Sequence, residues 1–384
     1  MYAILGANRY KGPAIGFESM SAHVRRMIME QQMKRIAVVG GAGYLGSVLC
    51  AHLVNQGFEV VSIDAHWFGD GALRPLREHP CFNSFRIDVP HGDEVLPHLR
   101  GCEAVIWAAG LVGDPACDLD IGFTYGCNYR SALTVANICK WLGIRRFIFA
   151  SSCSVYGRAN SETIHFSEDS ATYPLSFYAR DKLACEKAIR ALTDDSFHPS
   201  ILRLSTLFGW SDRMRFDLVV NLLTARACRG EMLEIYGGIQ RRPFLHVKDA
   251  ARAFATVLSS DTSLISNKIF NVGGDVNNHC ISDIADLVFS SIPGVRVKFM
   301  SEAADLRDYH VDFSKIAATL GYEIEFTVAH GIAEIQQRMS EANGINIGDP
   351  VYVNEKRTRQ LISESWKNSR PLQSSVAELV GSAA

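Results

Sequence analysis

From Lys34 onward the chain alternates short apolar runs with longer segments whose apolar positions recur every three or four residues. Ile36-Ala37-Val38-Val39 is an unbroken apolar run, fit for a strand buried on both faces. Gly40-Gly41-Ala42-Gly43-Tyr44-Leu45-Gly46 follows, then a helical pattern from 44 to about 56 that stops at Gly57. A second strand, Phe58–Ile63, ends at Asp64 and completes one βαβ unit. The same alternation predicts strands at 82–87, 103–108, 145–150, 200–205 and 268–272. It predicts helices at 124–142, 176–193, 215–229, 247–259, 281–291, 312–320 and 327–340. Alternating strands and helices imply an α/β fold around a parallel sheet.

The texture divides the chain into four parts. Residues 1–33 read as an N-terminal extension in which 20–33 could form a short amphipathic helix. Residues 34–205 carry the alternation. Beyond 206 the strands thin out, and 206–342 is expected to form mainly a smaller α/β unit interleaved with the first. Residues 343–384 are polar and weakly periodic, and a loosely packed tail is expected there.

Composition narrows the function classes. The 384 residues are 47% hydrophobic and 21% charged with a net charge of −2, as in an ordinary globular protein. No basic stripe stands out, so a nucleic-acid partner is not expected. No apolar run approaches a membrane span. The ten cysteines include no Cys-x-x-Cys pair, and several fall in apolar periodic segments. That favours a reduced, cytoplasmic setting over a disulfide framework, as does a first segment without a signal-peptide layout. The histidines show no metal-ligand spacing, so no metal is expected.

Gly40, Gly43 and Gly46 stand between a strand and a helix in Gly-x-x-Gly-x-x-Gly spacing. The first permits the tight turn, the second lets backbone approach a pyrophosphate, and the third lets helix pack on strand. The helix then opens at Tyr44 and Leu45 with free N–H groups and a positive dipole end facing the phosphates. Asp64, after the second strand, can accept from both hydroxyls of an adenosine ribose and would repel a 2′-phosphate. The nearest following arginine is Arg74, so NAD is favoured over NADP. Asp88, with Val89 beside it, lies where an acid could meet an adenine amino group, or could be a strand-end cap. Together these features predict a Rossmann-type, doubly wound dinucleotide-binding sheet.

Tyr178 and Lys182 are four residues apart in an expected helix and so share one face. An ammonium beside a phenol favours phenolate and would lower the tyrosine pKa, which makes a general acid/base near neutral pH.

With these residues the chain resembles the extended short-chain dehydrogenases/reductases, specifically the nucleotide-sugar epimerase/dehydratase group, over about residues 34 to 340. Gly40–Gly46 matches the glycine loop of that group. Ala108-Ala109-Gly110 matches the turn that covers the cofactor, and Asn128 an asparagine at the start of the next long helix. Ser151-Ser152-Cys153-Ser154-Val155-Tyr156-Gly157 matches the Ser-Ser-x-x-Val-Tyr-Gly segment after the fifth strand. Tyr178 and Lys182 match the catalytic pair. Arg242-Pro-Phe-Leu-His246-Val-Lys-Asp249 and Asn271-Val272-Gly273 match segments of the substrate domain.

The resemblance implies a homodimer, paired through helices 124–142 and 176–193, acting on a nucleotide-diphosphate sugar with the cap as substrate domain. It implies that Tyr178 takes the proton from the C4 hydroxyl while Ser152 hydrogen-bonds the same oxygen. Hydride then passes to the nicotinamide, whose ribose Lys182 also holds. In the resembling 4,6-dehydratases, Asp and Glu follow the catalytic Ser/Thr; here those positions hold Cys153 and Ser154, which disfavours an ordinary dehydratase. Cys153 could donate a proton to a leaving group, or be a small buried residue beside the site. Ser154 is a poor base and a candidate substrate contact. Asp114 could bond a sugar hydroxyl or cap the helix that follows. Arg242 and Arg307 could hold the diphosphate or form surface ion pairs. His246 and Asp249 are expected to hold the cap together. The expected activity is epimerisation at C4. A dehydratase employing Cys153, a 4-ketoreductase, and a non-catalytic dinucleotide sensor are the alternatives.

Overall fold

The computed structural model describes residues 34–88, 92–158, 165–300, 307–342 and 344–368. The extension at 1–33 and Val89 lie outside the described residues.

Each predicted apolar run becomes a strand of one seven-stranded, wholly parallel sheet. These are β1 (Arg35–Val39), β2 (Glu59–Asp64), β3 (Phe82–Arg86), β4 (Ala104–Trp107), β5 (Arg146–Ser152) and β6 (His198–Leu204), with Lys268–Val272 at the far edge. The order across the sheet is Lys268–Val272, β6, β5, β4, β1, β2, β3. The chain therefore winds outward from β1 in one direction, then returns to build the other half from β4. The reversal falls between β1 and β4, whose carboxyl ends leave a crevice there.

The unbroken apolar runs follow from burial on both faces. Ile36, Val38, Ile106, Ile148 and Leu202 pack on one side against α1 (Tyr44–Asn55) and the helix Val247–Ser259. Ala37, Val39, Val105, Phe147, Phe149 and Ile201 pack on the other side against helices Ser131–Trp141 and Phe177–Arg190. Successive strand residues face opposite layers, so both registers favour apolar residues.

Three expectations need correction. The helix read at 124–142 is broken into Ile121–Tyr125, a π turn Gly126–Arg130, and Ser131–Trp141. The helix read at 215–229 begins only at Val219, because residues 209–218 are tied as a loop. Asn221 accepts from Gly209 N and donates to Arg215 O, so the would-be first turn is spent on that loop. The tail expected from 343 contains the helix Asn354–Asn368, whose buried Asn354 bonds Val112 O, Asp217 and Arg213.

A second apolar cluster forms beyond β6. Strands Thr206–Phe208, Arg241–His246 and Asn278–Cys280 make a small sheet. Val220, Leu223, Leu233, Ile284, Val288, Val328 and Ile332 pack beside it. Asp249 is fully buried and accepts from Glu325 N and Phe326 N, and His246 bonds Glu334. Both therefore serve as internal ties.

Candidate active site

The glycine loop closes as its spacing predicts. Gly40 has φ +88°, and a Cβ there would stand 2.5 Å from Ala109 N. A Cβ on Gly46 would meet Gly40 O at 1.9 Å. Only hydrogen fits at either place, so the loop lies flat against Ala108-Ala109-Gly110. Gly43 caps α1, while the side chains of Tyr44 and Leu45 are buried in the core. Those two can offer a ligand only their backbone.

Asp64 accepts from Ala42 N at 3.1 Å and from His66 N at 2.7 Å. Its carboxylate thus braces the loop as well as facing the groove, and burial pushes its pKa up. The groove is lined by Gly40, Gly43, Asp64, Ala65, Trp67, Phe68, Asp88, Ala108, Ala109, Gly110 and Cys127. Ala65, Trp67, Phe68 and Cys127 had no sequence signal, because their exposure to the groove depends on where the chain turns after β2 and within the π turn. Asn128 is buried, accepts from Leu111 N at 2.7 Å and donates to Leu111 O at 3.0 Å. It therefore clamps the strand end immediately after Gly110. A flat glycine cradle, an acid at the ribose position and a free helix N-terminus fit NAD.

The catalytic candidates meet at the carboxyl end of β5. Ser152 ends that strand, and its hydroxyl accepts from Ser154 N at 3.1 Å and Ser154 Oγ at 2.9 Å. Ser176 caps the next helix by accepting from Ala179 N, which sets Tyr178 in the first turn. The Tyr178 phenol faces the Ser152 hydroxyl. Lys182 is buried one turn further on; its Nζ donates to Ala150 O at 2.9 Å and lies 5.9 Å from the Tyr178 ring.

The expected lowering of the Tyr178 pKa does not occur in the protein by itself. Burial pushes the phenol well above its ordinary value, and Cys117 adds to this, while the Ser152 hydroxyl and Arg215 oppose it. The Lys182 ammonium gives one N–H to the Ala150 carbonyl, and burial depresses its own pKa. In a dry hollow the cost of the charged form outweighs a cation beside the ring.

Cys153 turns away from this hollow. Its Sγ donates to Arg203 O at 3.2 Å within a cluster of Tyr156, Phe166, Tyr309 and Val311, and burial pushes the thiol up. This burial favours the reading of Cys153 as a small buried residue over that of a proton donor. Ser154 is likewise buried, behind Ser152.

The candidate substrate residues come together. Asp114 starts the short helix Asp114–Cys117 and pairs with Arg307 at 3.0 Å. Arg242 is buried, donates to the Arg241 and Arg307 carbonyls, and lies 5.3 Å from the Tyr309 ring. Sequence reasoning missed Arg213, Arg215 and Asp217, since it read part of their loop as helix. Arg215 pairs with Asp217 at 2.8 Å and faces Tyr178.

Asp181, between the catalytic pair in sequence, is 4% exposed with one oxygen that has no partner. Burial pushes its pKa up to about 6, against the pull of Lys182 and Asn128. A carboxyl raised in the folded state stabilises at low pH and loses that contribution as pH rises toward about 6. Asp181→Asn is therefore expected to raise stability by roughly 2–3 kcal/mol above about pH 7 and by almost nothing near pH 4. Thermal melts of both proteins at the two pH values check this; equal differences at both would refute it.

Among the described residues, no group of three or more His, Cys, Asp or Glu could hold a metal ion, and no helix is long and apolar enough to cross a membrane.

Comparison with known proteins matches residues 36–273 to the family described as NAD dependent epimerase/dehydratase. UDP-glucuronic acid decarboxylase 1 of Danio rerio is 26% identical over 348 residues, covering 87% of this chain and 80% of that protein. UDP-glucose 4-epimerase of Bacillus subtilis is 26% identical, covering 75% and 91%. The structure of MoeE5 in complex with UDP-glucuronic acid and NAD superposes with a TM-score of 0.70 at 28% identity, covering 80% of this chain and 99% of that one. The fold is also that of the dTDP-glucose 4,6-dehydratase DesIV from Streptomyces venezuelae, with a TM-score of 0.73 at 23% identity over 81% of this chain and 98% of that one.

Proposed function

The chain belongs to the NAD dependent epimerase/dehydratase family, and from that premise we propose that it inverts the C4 carbinol of a nucleotide-diphosphate sugar through a transient 4-keto sugar. The observation that carries this reading is the hollow at the end of β5. The Tyr178 phenol and the Ser152 hydroxyl face one another there, and the two residues after Ser152 are a buried thiol and a buried hydroxyl. A phenol and a hydroxyl on one carbinol oxygen suffice to take its proton and to return it. Expelling a C6 hydroxyl needs an acid and a base at C6, and the burial of Cys153 and Ser154 disfavours both in those roles.

In this reading NAD, held by Gly40, Gly43, Asp64, Asn128 and Lys182, supplies reversible hydride transfer. Tyr178 moves the proton. Ser152 orients the oxygen, and Lys182 fixes the floor of the hollow through Ala150. Asp114, Arg307 and Arg242 would face the sugar and the diphosphate; the Asp114–Arg307 pair would have to open or share its bonds. The chain would work as a homodimer through the segments 121–141 and 177–190. Exposed Tyr125 and Trp141 support that, and a monomeric mass in solution would remove it.

The test is incubation of purified protein with UDP-glucose, UDP-glucuronic acid and dTDP-glucose, without added cofactor, followed by NMR. The expected product is the C4 epimer of one of them. A product that has lost its C6 oxygen or its carboxyl group would overturn the reading.

A further inference from the structure

Arg213 is 5% exposed, yet among the described residues no carboxylate lies within ion-pair distance of it. Its Nη2 donates to the neutral Asn354 side chain at 2.7 Å, its guanidinium lies 3.8 Å from the Phe68 ring centroid, and its Nε has no partner. Two other buried arginines differ. Arg215 makes two bonds to Asp217, and Arg203 is bound by Glu186. Burial and the charge of Arg215 push Arg213 down to about 9, with Asp217 and Asp64 opposing from beyond ion-pair distance. A buried cation without a direct ion pair is costly for a fold to hold, and this one rests on a ring and an amide.

Its location indicates the missing anion. The loop that carries Arg213 is stitched to the first turn of α1. Tyr44 Oη donates to Gly209 O at 2.7 Å, Ser211 Oγ donates to Tyr44 O at 2.9 Å, and the Ser47 and Ser211 hydroxyls are 3.1 Å apart. That turn is the helix N-terminus that follows the glycine loop and offers unpaired N–H groups. Phe68, under the guanidinium, lines the groove with Gly40, Gly43 and Asp64. Arg213 thus lies against a residue of the groove wall, on a loop tied to the phosphate-binding turn.

We infer that Arg213 is the counter-charge for a phosphate of the bound dinucleotide, held in position by Phe68 and by Asn354 of the C-terminal helix. A guanidinium with a free Nε edge is suited to a phosphate oxygen. Asn354 lies beyond the residues matched by the family, so the C-terminal segment becomes part of the cofactor site. The inference rests on NAD binding and not on which sugar carbon changes, so it can fail while the epimerase reading stands, and the reverse.

The experiment is calorimetric titration of full-length protein, freed of dinucleotide, with NAD, ADP-ribose, adenosine and UDP and with no sugar present. Arg213→Met is expected to weaken NAD and ADP-ribose at least ~10-fold, as for a lost charged hydrogen bond. Adenosine and UDP should bind as in wild type, and Asn354→Ala should give a smaller loss of the same kind. If Arg213→Met does not fold, Arg213→Lys serves: it keeps the charge but not the planar fork, and a ~3- to 10-fold loss confined to NAD and ADP-ribose is expected. Three outcomes overturn the assignment. They are NAD affinity unchanged within twofold, adenosine weakened in parallel, and loss confined to UDP, which would assign the arginine to the diphosphate of the sugar substrate.

Discussion

Tyr178→Phe is expected to lower kcat by about 10³-fold while leaving KM within a few-fold of wild type. The ring packs against the cluster of Leu111, Cys117 and Cys127, and phenylalanine keeps that packing, so the change removes only the hydroxyl. In the proposed reaction that hydroxyl takes and returns the carbinol proton. Ser152 can orient an oxygen but is a poor base, and the Lys182 ammonium is held by Ala150. Because the hydroxyl acts on the transition state rather than on substrate binding, the loss should fall on kcat. NMR progress curves at saturating sugar measure it, with circular dichroism to show that the fold is retained. A variant within tenfold of wild type would remove Tyr178 from the chemistry.

Arg203→Met is expected to be the most damaging single change to stability. Arg203 donates to Glu186 at 2.8 Å, 3.0 Å and 3.2 Å and to Tyr156 Oη at 3.0 Å. Tyr156 in turn donates to Asn271 Oδ1 at 2.7 Å, and Ser151 Oγ donates to Glu186. The whole network is buried between β5, β6, the Tyr178 helix and the edge strand Lys268–Val272. Methionine fills much of the volume but leaves the Glu186 carboxylate without its cation. Removing one member of such a buried pair costs about 3–5 kcal/mol. For a chain of this size that lowers Tm by on the order of 5 °C. Ser151 adjoins Ser152, so activity should fall too. A melt within 1 °C of wild type, to order of magnitude, would show that the pair is worth little here.

The parallel sheet was legible because its signal is local and redundant. Runs such as Ile36–Val39 and Ala104–Trp107 are apolar at every position, and only burial on both faces makes that pattern favourable. The glycine loop was legible for a related reason. Gly40 and Gly46 sit where any Cβ would strike backbone, a constraint that spacing records directly. The small sheet was harder to read. Thr206–Phe208 and Arg241–His246 are short, and they pair only because distant segments meet. The segment 215–218 misled for the same reason. Its residues can form a helix, and what prevents it is Asn221, Tyr44 and Ser47 acting across the fold.

Taken alone, the sequence determined the sheet, the cofactor turn, and the presence of Ser152, Tyr178 and Lys182, since each depends on residues close along the chain. The tertiary structure alone decided which way side chains face and what they meet. It turned Cys153 into the core, joined Asp114 to Arg307, and folded the C-terminal segment back so that Asn354 holds Arg213. It also decided that burial raises the Tyr178 phenol despite a neighbouring lysine. Spacing can place an ammonium one turn from a phenol, but solvation depends on everything packed around both, and that is a property of the folded chain.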